Sequence, residues 1–498
     1  MQITLSGVSY TYPSAIEPIL NNISATFPQG WSGLLGDNGC GKTTLAKIVC
    51  GMIEPDSGTV TRGLFALMCA QQAAVEPEGL SDFALDYGRE ARELRRIFSI
   101  EDDMAWRYAE LSCGEQKKLQ VATMLWQRPD VLVLDEPTNH IDRDAREQLA
   151  CALRRFDGVG ILVSHDRELL DALAQRCVSF EAGGLIVRPG GYTAARAQAE
   201  LERTTALRER KAAKDSLARL AAEKDARAHE AARAKARMSK RRLDPKDRSA
   251  KAKIDLARFT GQDGARGKLS SQMDARLAAA QDRVANARVD KRYDGDLWLD
   301  ARPSPRKTLV RIEPTTIRCG EGTLSLPRLF VGNTDHIGIV GSNGAGKTRL
   351  LGHVRTLFSQ DVPVLDIPQE PDAQQRAETL ARAAALPDAE RGRVLSVVAQ
   401  LNSRPDRILE GESASPGELR KLMLALGMLD HPELIVMDEP TNHLDLHSVE
   451  ALERALASYP GALLLVSHDR AFLAACTDRV WEVRDRIVRE VQGEAAFR

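Results

Sequence analysis

The chain repeats itself, and the repeat constrains its fold more than any local pattern does. Gly36, Asp37, Asn38, Gly39, Cys40, Gly41, Lys42 and Thr43 return about three hundred positions later as Gly341, Ser342, Asn343, Gly344, Ala345, Gly346, Lys347 and Thr348. Leu134-Asp-Glu-Pro-Thr-Asn-His140-Ile-Asp142 returns as Met437-Asp-Glu-Pro-Thr-Asn-His443-Leu-Asp445, and Val163-Ser-His165 returns as Val466-Ser-His468. Internal spacings match too: Asp135 to His165 and Asp438 to His468 are both 30 positions, and Ser112 to Asp135 and Ser415 to Asp438 are both 23. Chance similarity does not hold register over so many landmarks. The 498 residues therefore carry two copies of one domain, as a length too great for one ordinary core also suggests.

Between the copies the composition changes. The first copy closes after the strand-like Gly184 to Val187 and the turn Pro189-Gly-Gly191; the second opens near Leu297, after Tyr293-Asp-Gly-Asp296. This divides the chain into 1–191, 192–296 and 297–498. Thr193 to Lys240 has neither Gly nor Pro and is rich in Ala, Arg, Glu and Lys, which predicts a long helix. Leu269, Met273, Leu277, Ala280, Val284 and Ala287 then recur at three- and four-residue spacing, the apolar stripe of a second helix. Pro245, Gly261, Gly264 and Gly267 punctuate the stretch between. The expectation is an antiparallel helical hairpin with its tip at about 239–268.

Charge singles out the same segment. The whole chain has a net charge of -1, yet Leu201 to Asp290 holds 24 Lys and Arg against 13 Asp and Glu, a net of +11. Concentrated positive charge is the footprint of a polyanionic partner, although a solvated linker helix carries charge runs as well.

Both glycine runs fit G-x-x-x-x-G-K-[ST], follow a short apolar stretch (Trp31 to Leu35, Ile337 to Val340) and precede helix-compatible sequence. In that context backbone N–H groups turn inward around phosphate oxygens, Lys42 and Lys347 reach the terminal phosphates, and the Thr43 and Thr348 hydroxyls are placed to ligate magnesium. Thr44 and Arg349, next along each helix, complete the candidate phosphate contacts. The apolar strands ending at Leu134 and Met437 deliver Asp135 and Asp438 to the magnesium shell, with Glu136 and Glu439 beside them to polarise an attacking water. An Asp-Glu pair alone is more often a capped strand end. Here a histidine follows each pair at the end of another apolar strand, so His165 and His468 are candidates to sense the terminal phosphate.

Leu111-Ser112-Cys113-Gly114-Glu115-Gln116 precedes helix-forming sequence and resembles the signature of the ATP-binding cassette ATPases. The resemblance covers both copies, about four-fifths of the chain. It implies an α/β fold of two P-loop cassettes joined by a helical hairpin. It also implies two cassettes of one monomer packed head to tail as an intramolecular dimer, each ATP lying between the phosphate loop of one and the signature of the other. Gln71 (or Gln72) and Gln369 match the glutamine of the magnesium site, and Asp142 and Asp445 match the aspartate that crosses the interface. The second signature departs from the pattern: Ala414-Ser415-Pro416-Gly417-Glu418-Leu419 loses the leading Leu and trailing Gln but keeps Ser415, Gly417 and Glu418. Tyr12 is placed to stack on adenine ahead of the first loop, and no clear aromatic counterpart precedes Gly341. The two sites are therefore expected to differ.

Two tandem cassettes joined by a charged hairpin, with Thr-Asn-His-[Ile/Leu]-Asp after each Asp-Glu, resemble the ABC-F subfamily. That resemblance implies an ATP hydrolase using ATP and Mg2+, acting as a translation factor or in antibiotic protection of the ribosome. Its hairpin would enter the exit-tRNA site and contact ribosomal RNA and tRNA. Lys235 to Arg242 and Lys246 to Lys253 suit phosphate contacts along RNA, which give affinity more than sequence readout. The ATPase subunit of a transporter with separate membrane subunits shares every catalytic motif and differs in having no evident use for the basic hairpin. A DNA-repair or chromosome-structure ATPase usually carries zinc modules or a much longer coiled coil.

No apolar run approaches the roughly 18 to 20 residues a membrane-spanning helix needs, and Met1 to Tyr10 has no export pattern, so a cytoplasmic location is expected. Eight widely spaced cysteines with no CxxC pair argue against a disulfide framework or a zinc site.

Overall fold

A computed structural model describes residues 1–71, 73–139, 141–181, 184–237, 262–286, 301–320, 322–359, 361–402, 415–442 and 444–492. Two compact units emerge: Met1–Ala195 together with Arg292–Arg498, and Arg196–Lys291.

In the first unit each repeat builds its own twisted α/β sheet. The first sheet runs, edge to edge, Ala66–Cys69, Val131–Asp135, Val159–Val163, Gly30–Leu35, Arg176–Glu181, Gly184–Pro189; all neighbours are parallel except the last pair. Val131–Asp135 and Val159–Val163 are buried along their whole length, which is why they read as unbroken apolar runs rather than alternating ones. Helices on the two faces complete two cores, one around Phe83, Phe98 and Leu119, the other around Phe27, Leu45 and Ile48. A three-stranded antiparallel sheet, Leu20–Pro28, Gln2–Tyr10, Ser57–Val60, lies on the second of these.

The second sheet has eight strands, in the order Thr315–Cys319, Gly322–Leu326, Ile487–Gln492, Arg479–Arg484, His336–Gly341, Ala462–Val466, Leu434–Asp438, Val364–Ile367. Strand register positions the chemistry in both repeats. Leu34 and Asp135 both pair with Val163, and Ile339 and Asp438 both pair with Val466. Three neighbouring parallel strands thus end side by side, and the loops leaving their carboxyl ends form one crevice, the usual ligand position in such sheets.

The second unit contains all but the first four residues of the 46-residue helix Tyr192–Arg237, and the helix Gln262–Asn286. The first is roughly 70 Å long at about 1.5 Å per residue. Lys224 Nζ pairs with Asp274 Oδ1 at 2.8 Å, joining the two helices. Met273 and Ala280 are buried with Leu277 and Val284 half-buried, the stripe read from the sequence; Leu269 and Ala287 lie beyond the side chains described. The tip assignment needs correction at one end. Residues 262–268 belong to the second helix, so Gly264 and Gly267 do not break it. Each glycine costs a helix only about 1 kcal/mol relative to Ala, which neighbours of high helix propensity offset. Residues 239–261, including Lys240, Arg241, Arg242, Lys246 and Arg248, lie outside the described residues.

Candidate nucleotide sites

In the first repeat the loop from Gly36 to Lys42 joins a central strand to the helix Lys42–Val49. Gly39 and Gly41 have φ of 77° and 105°, left-handed values that glycine tolerates best, and a Cβ on Gly41 would stand 2.7 Å from a Leu20 methyl. The turn aims Lys42 back over the loop, where its Nζ donates to the carbonyls of Gly36 (2.6 Å) and Asp37 (2.9 Å). Asn38 and Gly39 are exposed and Cys40 half-buried. Thr43 Oγ1 donates to Asp135 Oδ2 at 2.8 Å, so two oxygen ligands of the type magnesium prefers converge at the strand end. The Tyr12 hydroxyl lies 3.0 Å from Thr44 Oγ1, and its ring meets Tyr10 edge-on at 5.1 Å, fixing it beside the same helix.

Immediately after Asp135 the chain turns sharply. Glu136 has φ of 48° and Glu439 has 49°, conformations a side-chain-bearing residue adopts at a cost of about 1–3 kcal/mol and which cluster at functional sites. Each N–H is nonetheless satisfied, by Val163 O and Val466 O at 2.8 Å. Burial dominates their electrostatics: it pushes the Glu136 carboxyl up to about 8 and that of Glu439 up to about 7, against the opposing pull of Lys42 and Lys347. Burial likewise drives the imidazoles of His165 and His468 down, the latter to about 3. The His165 ring Nε2 stands 3.3 Å from Glu136 Oε1, and the His165 backbone N–H donates to Glu136 Oε2 at 3.3 Å. The arrangement holds a buried carboxyl and an imidazole side by side at the strand end, able to orient a water.

The second site repeats this plan with differences. Gly344 and Gly346 have φ of 74° and 109°. Lys347 Nζ donates to the carbonyls of Gly341 (2.8 Å) and Ser342 (3.1 Å) and also reaches His468 Nε2 at 3.2 Å. That ring nitrogen is 3.1 Å from Asn343 Oδ1, so the histidine is latched onto the phosphate loop. Thr348 and Arg349 are exposed, Ala345 is half-buried, and among the described residues no Thr348 bond to Asp438 matches the Thr43 bond to Asp135. Beside Gly346 the approaching strands supply Cys319 and Leu324 rather than an aromatic ring. Tyr12→Ala is accordingly expected to weaken nucleotide binding at the first loop alone, by roughly 1 to 3 kcal/mol, the usual worth of base–aromatic stacking. Tyr12→Phe, which keeps the ring and loses the Thr44 contact, should retain most of it. Nucleotide titration resolving two affinities checks this; equal loss at both sites would contradict it.

Both signature segments start a helix with a reciprocal cap. Ser112 caps Cys113–Trp126 and exchanges bonds with Glu115, and Ser415 caps Pro416–Gly427 and exchanges bonds with Glu418; the Ser112 bonds hold the Glu115 carboxyl below its ordinary range. The altered second signature thus keeps its cap. Its Leu419 is simply buried, whereas Gln116 donates to Tyr108 O at 2.9 Å. Gly114 is half-buried and Gly417 buried. Sequence reading missed the next position. Buried Lys117 donates to the carbonyls of Ala70 (2.6 Å) and Gln71 (3.3 Å), tying its helix to the glutamine loop; its counterpart Arg420 donates instead to Glu439 O (3.0 Å) and Asn442 O (3.2 Å). The Gln71 side chain is exposed and Gln369 half-buried; Gln72 lies outside the described residues.

The two cassettes meet across these loops. Asn343 N–H donates to Asp142 Oδ2 at 3.3 Å, a bond from the second phosphate loop to the first cassette. On the other side the expectation for Asp445 needs correcting. Its Oδ1 is taken up by Ser448 and by Asn402 of its own cassette, and Lys421 stands 3.7 Å from Oδ2. The bond that crosses comes from His447 Nδ1, 2.7 Å from Asp37 Oδ1, although the Asp445 carboxylate stays within 4.8 Å of both. Arg167 pairs with Glu453 at 2.9 Å, Tyr192 donates to Glu450, and Leu446 packs into the first cassette's core. His447 aligns with Asp144, and that difference between the copies is the only trace it leaves in the sequence.

The profile of the ABC transporter family matches residues 20–139 and 328–442. The chain is 30% identical to the ribosome protection protein VmlR of Bacillus subtilis, over 96% of this chain and 85% of that one. It is 28% identical to the tylosin resistance ATP-binding protein TlrC of Streptomyces fradiae, covering 98% of each. Among solved structures it resembles that of the archaeal ribosome recycling factor aABCE1 in complex with stalk protein aP1, with a TM-score of 0.61, 18% identity and coverage of 98% and 90%, a likeness of fold. With two phosphate loops, two Asp-Glu strand ends and a relative of this identity along nearly its whole length, the chain belongs to the ABC-F family of ATP-binding cassette proteins and is an ATP hydrolase.

Proposed function

We propose that this is a cytoplasmic, ribosome-binding ATPase, a translation factor or an agent of antibiotic protection. In this reading its division is 1–191, 192–296 and 297–498, and the basic middle segment reaches the exit-tRNA site and contacts ribosomal RNA and tRNA. The observation that carries the proposal is the whole-length match to a protein named for ribosome protection, which runs through the hairpin as well as the cassettes. Among the described residues no helix is long and apolar enough to cross a membrane.

The chemistry follows from the site residues. Lys42 and Lys347 bind terminal phosphates, and Glu136 and Glu439 hold the attacking water, with His165 and His468 alongside. Ser112 and Ser415, at helix N-termini, complete the sites in trans. Thr43 with Asp135, and Thr348 with Asp438, are the hard oxygen donors that would hold Mg2+, with Gln71 and Gln369 beside them. Bound there, the ion supplies neutralisation of charge on the terminal phosphates. The contacts of Asp142 with Asn343 and of His447 with Asp37 give each phosphate loop a partner on the opposite cassette, the arrangement ATP-driven closure needs.

The test is binding of the ATP-loaded chain to purified ribosomes and, separately, to membrane vesicles. Pelleting with ribosomes is expected. Pelleting with vesicles alone would favour the transporter-subunit reading.

A further inference from the structure

Arg146 lies one turn into the helix Arg143–Leu153, which Asp142 caps by accepting from Ala145 N–H at 3.1 Å. The cap and the arginine project toward the same place. While Asp142 accepts from Asn343 of the opposite phosphate loop, Arg146 Nη1 donates to the backbone carbonyl of His468 at 3.2 Å, also in the opposite cassette. The same nitrogen stands 3.4 Å from Asp166 Oδ2, in the residue that follows His165. One guanidinium therefore touches both histidine loops. Asp166 is 6% exposed and Arg146 21%, so the pair sits where water screens it little. The nearby Arg167–Glu453 pair closes the same seam.

At the aligned position the second cassette offers no such side chain. The residue aligned with Arg146 is Val449, buried in its own core and with no side-chain polar group to offer. His165 is thus not reached from across the interface by an equivalent side chain.

What Arg146 holds matters because of what His468 touches: Lys347 Nζ and Asn343 Oδ1 through its ring, and Glu439 Oε2 through its N–H. Holding the carbonyl of His468 restrains the peptide that leaves its Cα, and with the N–H bond to Glu439 on the other side of that Cα it limits how far the ring can shift.

We propose that Arg146 is a positioning residue for ATP turnover at the Lys347 site, acting from the opposite cassette by clamping the His468 backbone and tying that loop to Asp166. The proposal rests on the reading of Glu439 and His468 given above. It makes the two sites unequal: among the described residues the Lys347 site is gripped at both its phosphate loop and its histidine loop, whereas the Lys42 site is met at Asp37 of its phosphate loop, by His447 and Asn402.

The test uses the full chain in two backgrounds, Glu136→Gln, which leaves turnover at the Lys347 site, and Glu439→Gln, which leaves it at the Lys42 site. Arg146→Ala should lower kcat about tenfold or more in the first background, with KM for ATP within about twofold, and the loss should be several times smaller in the second. Arg146→Lys should recover a substantial part of the rate. Because both backgrounds share one interface, equal losses in the two would mean general loosening and overturn the proposal, as would an unchanged kcat in the first. Amide hydrogen exchange over residues 464–472 gives a readout independent of the glutamates: faster exchange in Arg146→Ala supports the clamp, and unchanged exchange overturns it. If neither glutamate variant silenced its own site, the glutamate assignment would fail, and the exchange result would still decide the clamp.

Discussion

Glu136→Gln combined with Glu439→Gln is expected to reduce ATP turnover by about a hundredfold or more, the range general-base groups supply, with ATP affinity within about twofold of the parent. The phosphate loops are untouched, so binding survives while both water-orienting carboxyls are lost. The same variant carries a stability signature. Burial raises the folded-state carboxyl of Glu136 from 4.5 to about 8 and that of Glu439 to about 7, so the folded protein binds more protons than the unfolded chain between these limits. Their contribution is therefore fully present below about 4.5 and is lost as pH rises through 7 to 8. Glutamine never ionises. The nucleotide-free double variant should thus be more stable than the parent at pH 8.5, on the order of 1 to 3 kcal/mol, with the gain shrinking toward pH 5. The lowered histidines work in the opposite sense, losing stability as pH falls below 6.5, but they are common to both proteins and cancel in the comparison. Steady-state phosphate release and thermal unfolding across pH measure the two parts. Near-parental turnover would remove the glutamates from the role proposed.

The second large effect concerns the partner. Changing Lys240, Arg241, Arg242, Lys246 and Arg248 together to Ala removes five positive charges from a segment whose surroundings total +11. If these side chains lie against RNA phosphates, ribosome affinity should fall by at least about tenfold at low salt. The slope of log affinity against log salt should become shallower by up to roughly 4, since fewer counterions are released. ATP binding measured without ribosomes should stay unchanged. Sedimentation at several salt concentrations checks this; an unaltered slope would leave the segment as a spacer rather than an RNA contact.

The candidate nucleotide sites are legible in the sequence because each is written in contiguous runs. A phosphate loop is a strand end, a turn and a helix start, so Gly36 to Thr43 carries it within eight positions, and its repetition at Gly341 removes the accidental reading. Fully buried parallel strands gave the apolar runs before Asp135 and Asp438. Contacts between repeats are different in kind. Arg146 meets His468 across 322 positions and His447 meets Asp37 across 410, and no local pattern encodes either. Lys117 and Arg420 were hidden for another reason. A cation within a helix reads as a solvated one, and only the packing reveals that each is buried with its charge spent on loop carbonyls. Gly264 and Gly267 misled in the opposite direction, since glycine's helix penalty is small enough for context to override.

The measurement that bears most directly on the central claim is electron cryo-microscopy of purified ribosomes incubated with the Glu136→Gln, Glu439→Gln variant and ATP. Loss of turnover should hold the chain in its ATP-loaded form. The predicted result is a ribosome with both cassettes closed on nucleotide and the hairpin that begins at Tyr192 occupying the exit-tRNA site, its basic end against RNA. Ribosomes free of the variant at saturating concentration, or a complex in which the hairpin touches no RNA, would contradict the account.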